Sequence, residues 1–106
     1  MFYENASIAA KNIAPGVVRK ILVAEGKMMV AELQMDAGAE VPVHQHLHEQ
    51  VTYVVEGCLQ VTLNGETRLL KKGDSVYFGP NEPHSVKTLE DSKAIDVFTP
   101  QREDFK

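Results

Sequence analysis

The sequence predicts an all-β domain that closes as a small antiparallel barrel or jelly roll of two sheets, and three observations carry that expectation. Short apolar runs end in turn residues at intervals of roughly eight to twelve positions. Within the runs, side chains alternate between two faces with the period of a strand. Asn64-Gly65 separates two of the runs, and both positions of a two-residue type I′ hairpin need the positive φ that this pair tolerates.

The candidate strands, in order, are Val17–Val23, Met28–Met35, Val51–Glu56, Cys58–Leu63, Thr67–Leu70, Ser75–Phe78, His84–Thr88 and Lys93–Phe98. Ahead of them, the first dozen residues can hold a short helix, which Pro15-Gly16 would end. Leu59, Val61 and Leu63 share one face of their strand, while Cys58, Gln60 and Thr62 share the other. Lys72-Gly73-Asp74, Gly79-Pro80-Asn81 and Glu90-Asp91-Ser92 read as turns. In the last strand Ile95 and Val97 face one way, and Ala94, Asp96 and Phe98 the other. Strands this short must close or stack to hide their edges, hence the barrel.

Size and composition limit the function classes. The 106 residues make one domain, residues 1–106, and 43% hydrophobic content supports a packed core. Eleven basic against 15 acidic residues give a net charge of -4, without charge blocks, which argues against nucleic acid or an anionic membrane as partner. A single cysteine, Cys58, excludes an internal disulfide and reads as a small core residue. No stretch has the pattern of a secretory leader or a bilayer span, so the expected location is the cytoplasm.

The histidines carry the chemistry. His44, His46 and His48 fall within five positions, and His84 lies far along the chain. On a strand, His44 and His46 point to the same face, and a distant strand can bring His84 to the same ion. Imidazoles with one amide or carboxylate oxygen suit one divalent transition metal: Zn, Ni, Fe, Mn or Cu. Gly38 is followed by five residues, His44, one residue, His46, three residues, Gln50, six residues and Gly57; ten residues separate Gly73 from His84. This spacing resembles the two-motif signature of the cupin superfamily, with the 15 residues Cys58 to Lys72 between the motifs. Gln50 stands where that family usually has glutamate, Gly79 and Asn81 replace its proline and glycine, and Thr88 stands where asparagine is common. Three imidazoles and an amide leave a divalent ion's charge uncompensated, which favours an anionic substrate oxygen. Glu49 or His48 rotating into the fourth position is the alternative; His48 otherwise reads as structural.

Asp96 lies in mid-strand, where aspartate is disfavoured and needs a partner or a task if it faces inward. The start MFYENA, the run His44 to Gln50 with Gly57 seven residues later, and the ending from Asp96 to Phe105 are similar to the KdgF-type pectin-degradation cupins. That resemblance implies metal ligation by His44, His46, Gln50 and His84, and interior roles for Asp96, Phe98 and Arg102. The activity it implies is ring opening and ketonisation of 4,5-unsaturated uronate monosaccharides from pectin or alginate breakdown, a metal-dependent isomerase reaction. Asp96 is then the proton-transfer group, Arg102 the carboxylate clamp, and Phe98 an apolar wall. A cupin dioxygenase and a non-catalytic sugar-binding module are the alternatives. Apolar residues on both strand faces, Ile95 and Val97 among them, predict a homodimer packed sheet to sheet.

Overall fold

A computed structural model describes residues Met1 to Lys106. A single 3-10 turn at Asn5–Ser7 precedes eight strands: β1 (Lys11–Ala14), β2 (Val17–Glu25), β3 (Met28–Met35), β4 (Glu40–His44), β5 (Glu49–Leu63), β6 (Glu66–Lys71), β7 (Ser75–Phe78) and β8 (His84–Thr99). A second 3-10 turn, Glu103–Phe105, follows. Every strand pair is antiparallel. The hydrogen-bonded order is β1-β2-β3-β8-β5-β6, with β4 added to β8 and β7 to β5. No helix is long and apolar enough to cross a membrane.

Closure rests on β5 and β8, which are long and bent. The first half of β5 pairs with β7 and with the second half of β8. Its second half pairs with β6 and with the first half of β8, whose other edge holds β4. Register shifts between Val54 and Leu59 turn one half against the other, so the two strands belong to both sheets of the jelly roll. Gly57 sits at the bend with φ +96°, and a Cβ there would lie 2.1 Å from Ser92 Oγ and 2.6 Å from the Asp91 carbonyl oxygen. Ser92 Oγ accepts the Cys58 N–H at 3.1 Å and donates to the Glu90 carbonyl at 2.7 Å, pinning the two bent strands together.

Four expectations change. Val51–Glu56 and Cys58–Leu63 are one strand, as are His84–Thr88 and Lys93–Phe98, because the bend at Gly57 and Glu90-Asp91-Ser92 keeps the ladder intact. The first dozen residues hold no helix beyond one 3-10 turn; β1 begins at Lys11 and pairs with β2. Strand β4 is added, and Pro42 suits it because it lies at an edge with an irregular register between Val41 and His44. That strand stops at His44, so His46 stands in a loop and does not share a strand face with it. By contrast Asn64 and Gly65 adopt φ 49° and 81°, the hairpin conformation expected.

The interior holds one cluster around Val17, Met35, Val54, Leu59, Val61, Phe78 and Ala94, and another around Met29, Ala31 and Phe98. Strict alternation puts Ser92, Ala94, Asp96 and Phe98 of β8 inside. Gln50, Thr52 and Val54 of β5 face them in register with Phe98, Asp96 and Ala94. Outside, Val51 is paired with Val97 and Tyr77, and Tyr53 with Ile95, giving an apolar stripe with Val51, Tyr53 and Tyr77 exposed.

Because the Gly57 site combines positive φ with backbone contact, Gly57→Ala is expected to destabilise the fold by about 2 to 4 kcal/mol. Chemical denaturation measures this; a midpoint equal to that of the unmodified chain would mean that the bend tolerates a side chain.

Candidate metal centre

His44, His46 and His84 come together at the interior end of β4, the loop after it and the start of β8. Their nearest ligating atoms all lie within 4.8 Å of one another. Local backbone geometry sets the rings. His44 Nδ1 lies 2.9 Å from the Pro42 carbonyl oxygen, His46 Nδ1 3.1 Å from that of His48, and His84 Nδ1 2.9 Å from that of Glu82. A carbonyl only accepts, so each Nδ1 carries the proton and each neutral ring is left with a bare Nε2. Phe78 stacks on His84 at 3.9 Å between centroids and an angle of 11°, fixing its plane.

Burial favours the neutral form of His84 and His46. Desolvation, partly offset by the Glu82 carbonyl, takes His84 down to about 4, and desolvation with the nearby Arg102 charge lowers His46. His84 Nε2 is buried without any protein partner. His46 meets an acceptor oxygen at each ring nitrogen, that of His48 at Nδ1 and Gln50 Oε1 2.9 Å from Nε2; a neutral ring has one proton for the two, so with Nδ1 donating, Nε2 and Oε1 face each other as lone pairs. A cation beside both satisfies what the protein leaves open, so the residues fit a divalent transition metal with nitrogen and oxygen donors.

Gln50 is fixed from behind. Its Nε2 donates to Thr52 Oγ1 at 2.9 Å, and the Thr52 hydroxyl donates to Asp96 Oδ1 at 2.6 Å. A hydrogen-bonded line therefore runs from the histidines to a buried carboxyl. Desolvation pushes Asp96 up to about 6 against the opposing pull of Thr52, Gln50 and Arg102. A carboxyl so placed exchanges a proton readily near neutral pH.

These groups open on one cavity of about 280 Å³. His44, Gln50, His84, Asp96, Phe98 and Arg102 all contribute to its wall; His46 does not line it, and its ring is 6.0 Å from that of Phe98. Arg102 is not free: its Nε and Nη2 donate to the two oxygens of Asp104 at 3.0 and 2.9 Å, and its Cζ lies 4.2 Å from the Phe105 ring centre. The edge of the guanidinium expected to grip a substrate carboxylate is thus already engaged. His48, whose ring is 5.5 Å from that of His46, is not among the three histidines whose ligating atoms converge, and Glu49 points outward and accepts the Tyr77 hydroxyl at 2.8 Å.

Residues 31–98 match the family model described as the cupin domain. The chain belongs to the cupin family. This cupin is 37% identical over 97 residues to "Pectin degradation protein KdgF" of Dickeya dadantii, covering 90% of this chain and 88% of that protein. It superposes on the structure of KdgF from Halomonas sp. with a TM-score of 0.95 and 36% identity, over 100% of this chain and 98% of the other. An RmlC-like cupin from Shewanella frigidimarina matches with a TM-score of 0.95 and 35% identity, over 99% and 95% of the two chains. Together these make it a KdgF-type cupin.

Two residues of this cupin's site escape sequence reasoning. Thr52 looks like any strand threonine until its register against Asp96 is known. Arg19 is buried and lines the cavity; its only sequence signal is a charge at an inward position of Val17-x-Arg19-x-Ile21.

Dialysis against a chelator followed by addition of one equivalent of Ni or Zn is expected to raise the melting temperature by ligand linkage. Gln50→Ala should lose the ion to a chelator that the unmodified cupin and Glu49→Ala withstand. Thr52→Val should weaken metal affinity by about 10- to 100-fold by freeing the Gln50 amide; unchanged affinity would remove Thr52 from that role.

Proposed function

We propose that this cupin holds one divalent transition metal through His44, His46, His84 and Gln50 and acts in the cytoplasm as an isomerase. The reaction is opening and ketonisation of 4,5-unsaturated uronate monosaccharides released from pectin or alginate. The observation that carries the proposal is a buried carboxyl, Asp96, joined through Thr52 and Gln50 to the histidine cluster on one small cavity. A space of about 280 Å³ suits a monosaccharide and excludes a polymer chain. The relative in Dickeya dadantii, which bears the name of a pectin degradation protein, supports the substrate class.

The substrate is a cyclic hemiacetal whose C5 carries both the ring oxygen and the carboxylate and is double-bonded to C4. In the proposed reaction Asp96, as carboxylate, takes the proton of the anomeric hydroxyl. The electrons of that O–H bond form the C1 carbonyl, and the C1–O5 pair stays with the ring oxygen. Negative charge then lies on the O5–C5–C4 unit. A divalent metal supplies a Lewis acid for such an anionic oxygen. Asp96, now protonated, delivers its proton to C4, and C5 becomes a ketone. The proton lost from O1 is the proton gained at C4, so no other reagent is required. Thr52 orients the Asp96 carboxyl through the 2.6 Å bond. Phe98, only 2% exposed, forms a rigid apolar wall, and Arg102 offers the substrate carboxylate the donors that Asp104 leaves free.

Loss of absorbance at the conjugated alkene band of an unsaturated uronate tests the reaction: decay with metal-loaded protein and none after chelation is expected. Asp96→Asn should lower turnover by about 10²- to 10⁴-fold, roughly 3 to 5 kcal/mol, with metal content unchanged. Full activity in that variant would exclude Asp96 from the proton transfers. The exposed stripe of Val51, Tyr53 and Tyr77 supports pairing of two copies sheet to sheet. Sedimentation at micromolar concentration should give a dimer, and a monomer would refute the pairing.

A further inference from the structure

Arg19 is the charged group that neither the fold nor the proposed reaction uses. It points inward from β2 and lines the same cavity as His44, Gln50, His84 and Asp96. With 9% of its surface accessible it is buried, yet its guanidinium forms no ion pair and donates no hydrogen bond within the protein. Its one close partner is the Phe105 ring, 3.7 Å from Cζ to the centroid. A ring lying against the flat face of a guanidinium leaves the N–H donors, which lie in the plane, free. Those nitrogens are not sealed from solvent, and the residue that carries them lines the cavity.

Arg102 is the contrast. It stacks on Phe105 too, at 4.2 Å, but Asp104 holds two of its nitrogens. The two guanidinium carbons lie 3.7 and 4.2 Å from the centre of the same ring. One is neutralised by a carboxylate of the chain, and the other is not. A buried cation without an anion is costly, and a ligand carboxylate would supply the missing partner. Desolvation, with repulsion from Arg102, lowers the Arg19 pKa against the opposing through-space pull of Asp104 and Asp96, neither of which pairs with it directly.

We infer that Arg19 is the specificity-determining residue that recognises the carboxylate of a sugar acid in this cavity, so that anionic monosaccharides are bound in preference to neutral ones. The identity of the anion as a uronate rests on the function proposed above. Arg102 then contributes the donors that Asp104 leaves free, and Phe105 keeps the two guanidinium groups in place.

The test is calorimetric titration of the metal-loaded full chain with galacturonate and with galactose, which differ in a carboxylate against a hydroxymethyl group. Galacturonate should bind at least tenfold tighter than galactose. Arg19→Gln should weaken galacturonate by about 10- to 100-fold, the worth of charge-assisted hydrogen bonds, and leave galactose unchanged. Arg19→Lys, which keeps the charge without the planar fork, should fall between and carries the test if the Gln variant does not fold. With an unsaturated uronate the loss should appear in KM rather than kcat. Equal weakening of both sugars would make Arg19 a packing strut for Phe105 and overturn the inference, as would undiminished galacturonate affinity or no galacturonate binding by the unmodified chain. Arg19-dependent binding of galacturonate without turnover of the unsaturated uronate would instead refute the ring-opening reaction and leave the recognition role standing. An unchanged KM in Arg19→Gln, with turnover intact, would do the reverse.

Discussion

The bent pairing of β5 with β8 is the constraint on which the rest of this protein depends. His84 and Asp96 lie on the same strand, twelve residues apart. On a straight strand they would stand about 40 Å from each other. The turn of the ladder around Gly57 and Ser92 brings both onto the wall of one cavity. The same pairing places Thr52 opposite Asp96 and Gln50 opposite Phe98, so the amide, the hydroxyl and the carboxyl line up across two adjacent strands. A change at the bend therefore alters the spacing of groups that never touch it.

Around that frame, carbonyl oxygens do the finer positioning. Each histidine of the cluster spends its Nδ1 proton on a main-chain oxygen two residues away, at Pro42, His48 or Glu82. The local chain path thus decides which nitrogen remains bare, without any buried acidic partner. None of the four candidate donors is a carboxylate, and the buried carboxyl of Asp96 on the same cavity reaches Gln50 only through Thr52. An ion set there keeps its full charge for whatever oxygen the cavity admits.

The fold class was legible because strand alternation and the Asn64-Gly65 pair are local signals. So was the histidine cluster, whose spacing within a few residues survives any uncertainty about strand ends, even though His46 turned out to stand in a loop. Asp96 could be singled out because a carboxylate in mid-strand breaks an apolar pattern. Continuity across Gly57 and across Glu90-Asp91-Ser92 was hidden, because a bend within a ladder and a turn that ends one call for the same residue types. Pro42 concealed β4 for a similar reason: it weakens a strand in general but not one at an edge. Thr52 and Arg19 were invisible as site residues because their significance lies in cross-strand register and in the return of Phe105, neither of which is a local property.

The grip of Asp104 on Arg102 has a consequence for how ligands are admitted. A carboxylate arriving on that edge of the guanidinium would release Asp104, whose side chain is already 60% exposed, to water. Asp104 would stay tethered two residues along the chain, so the exchange would leave the site with one more negative charge than before. An anion therefore gains at that edge only by what its fit to the fork exceeds that of Asp104, whereas one bound beside Arg19 leaves the Arg102 pair intact.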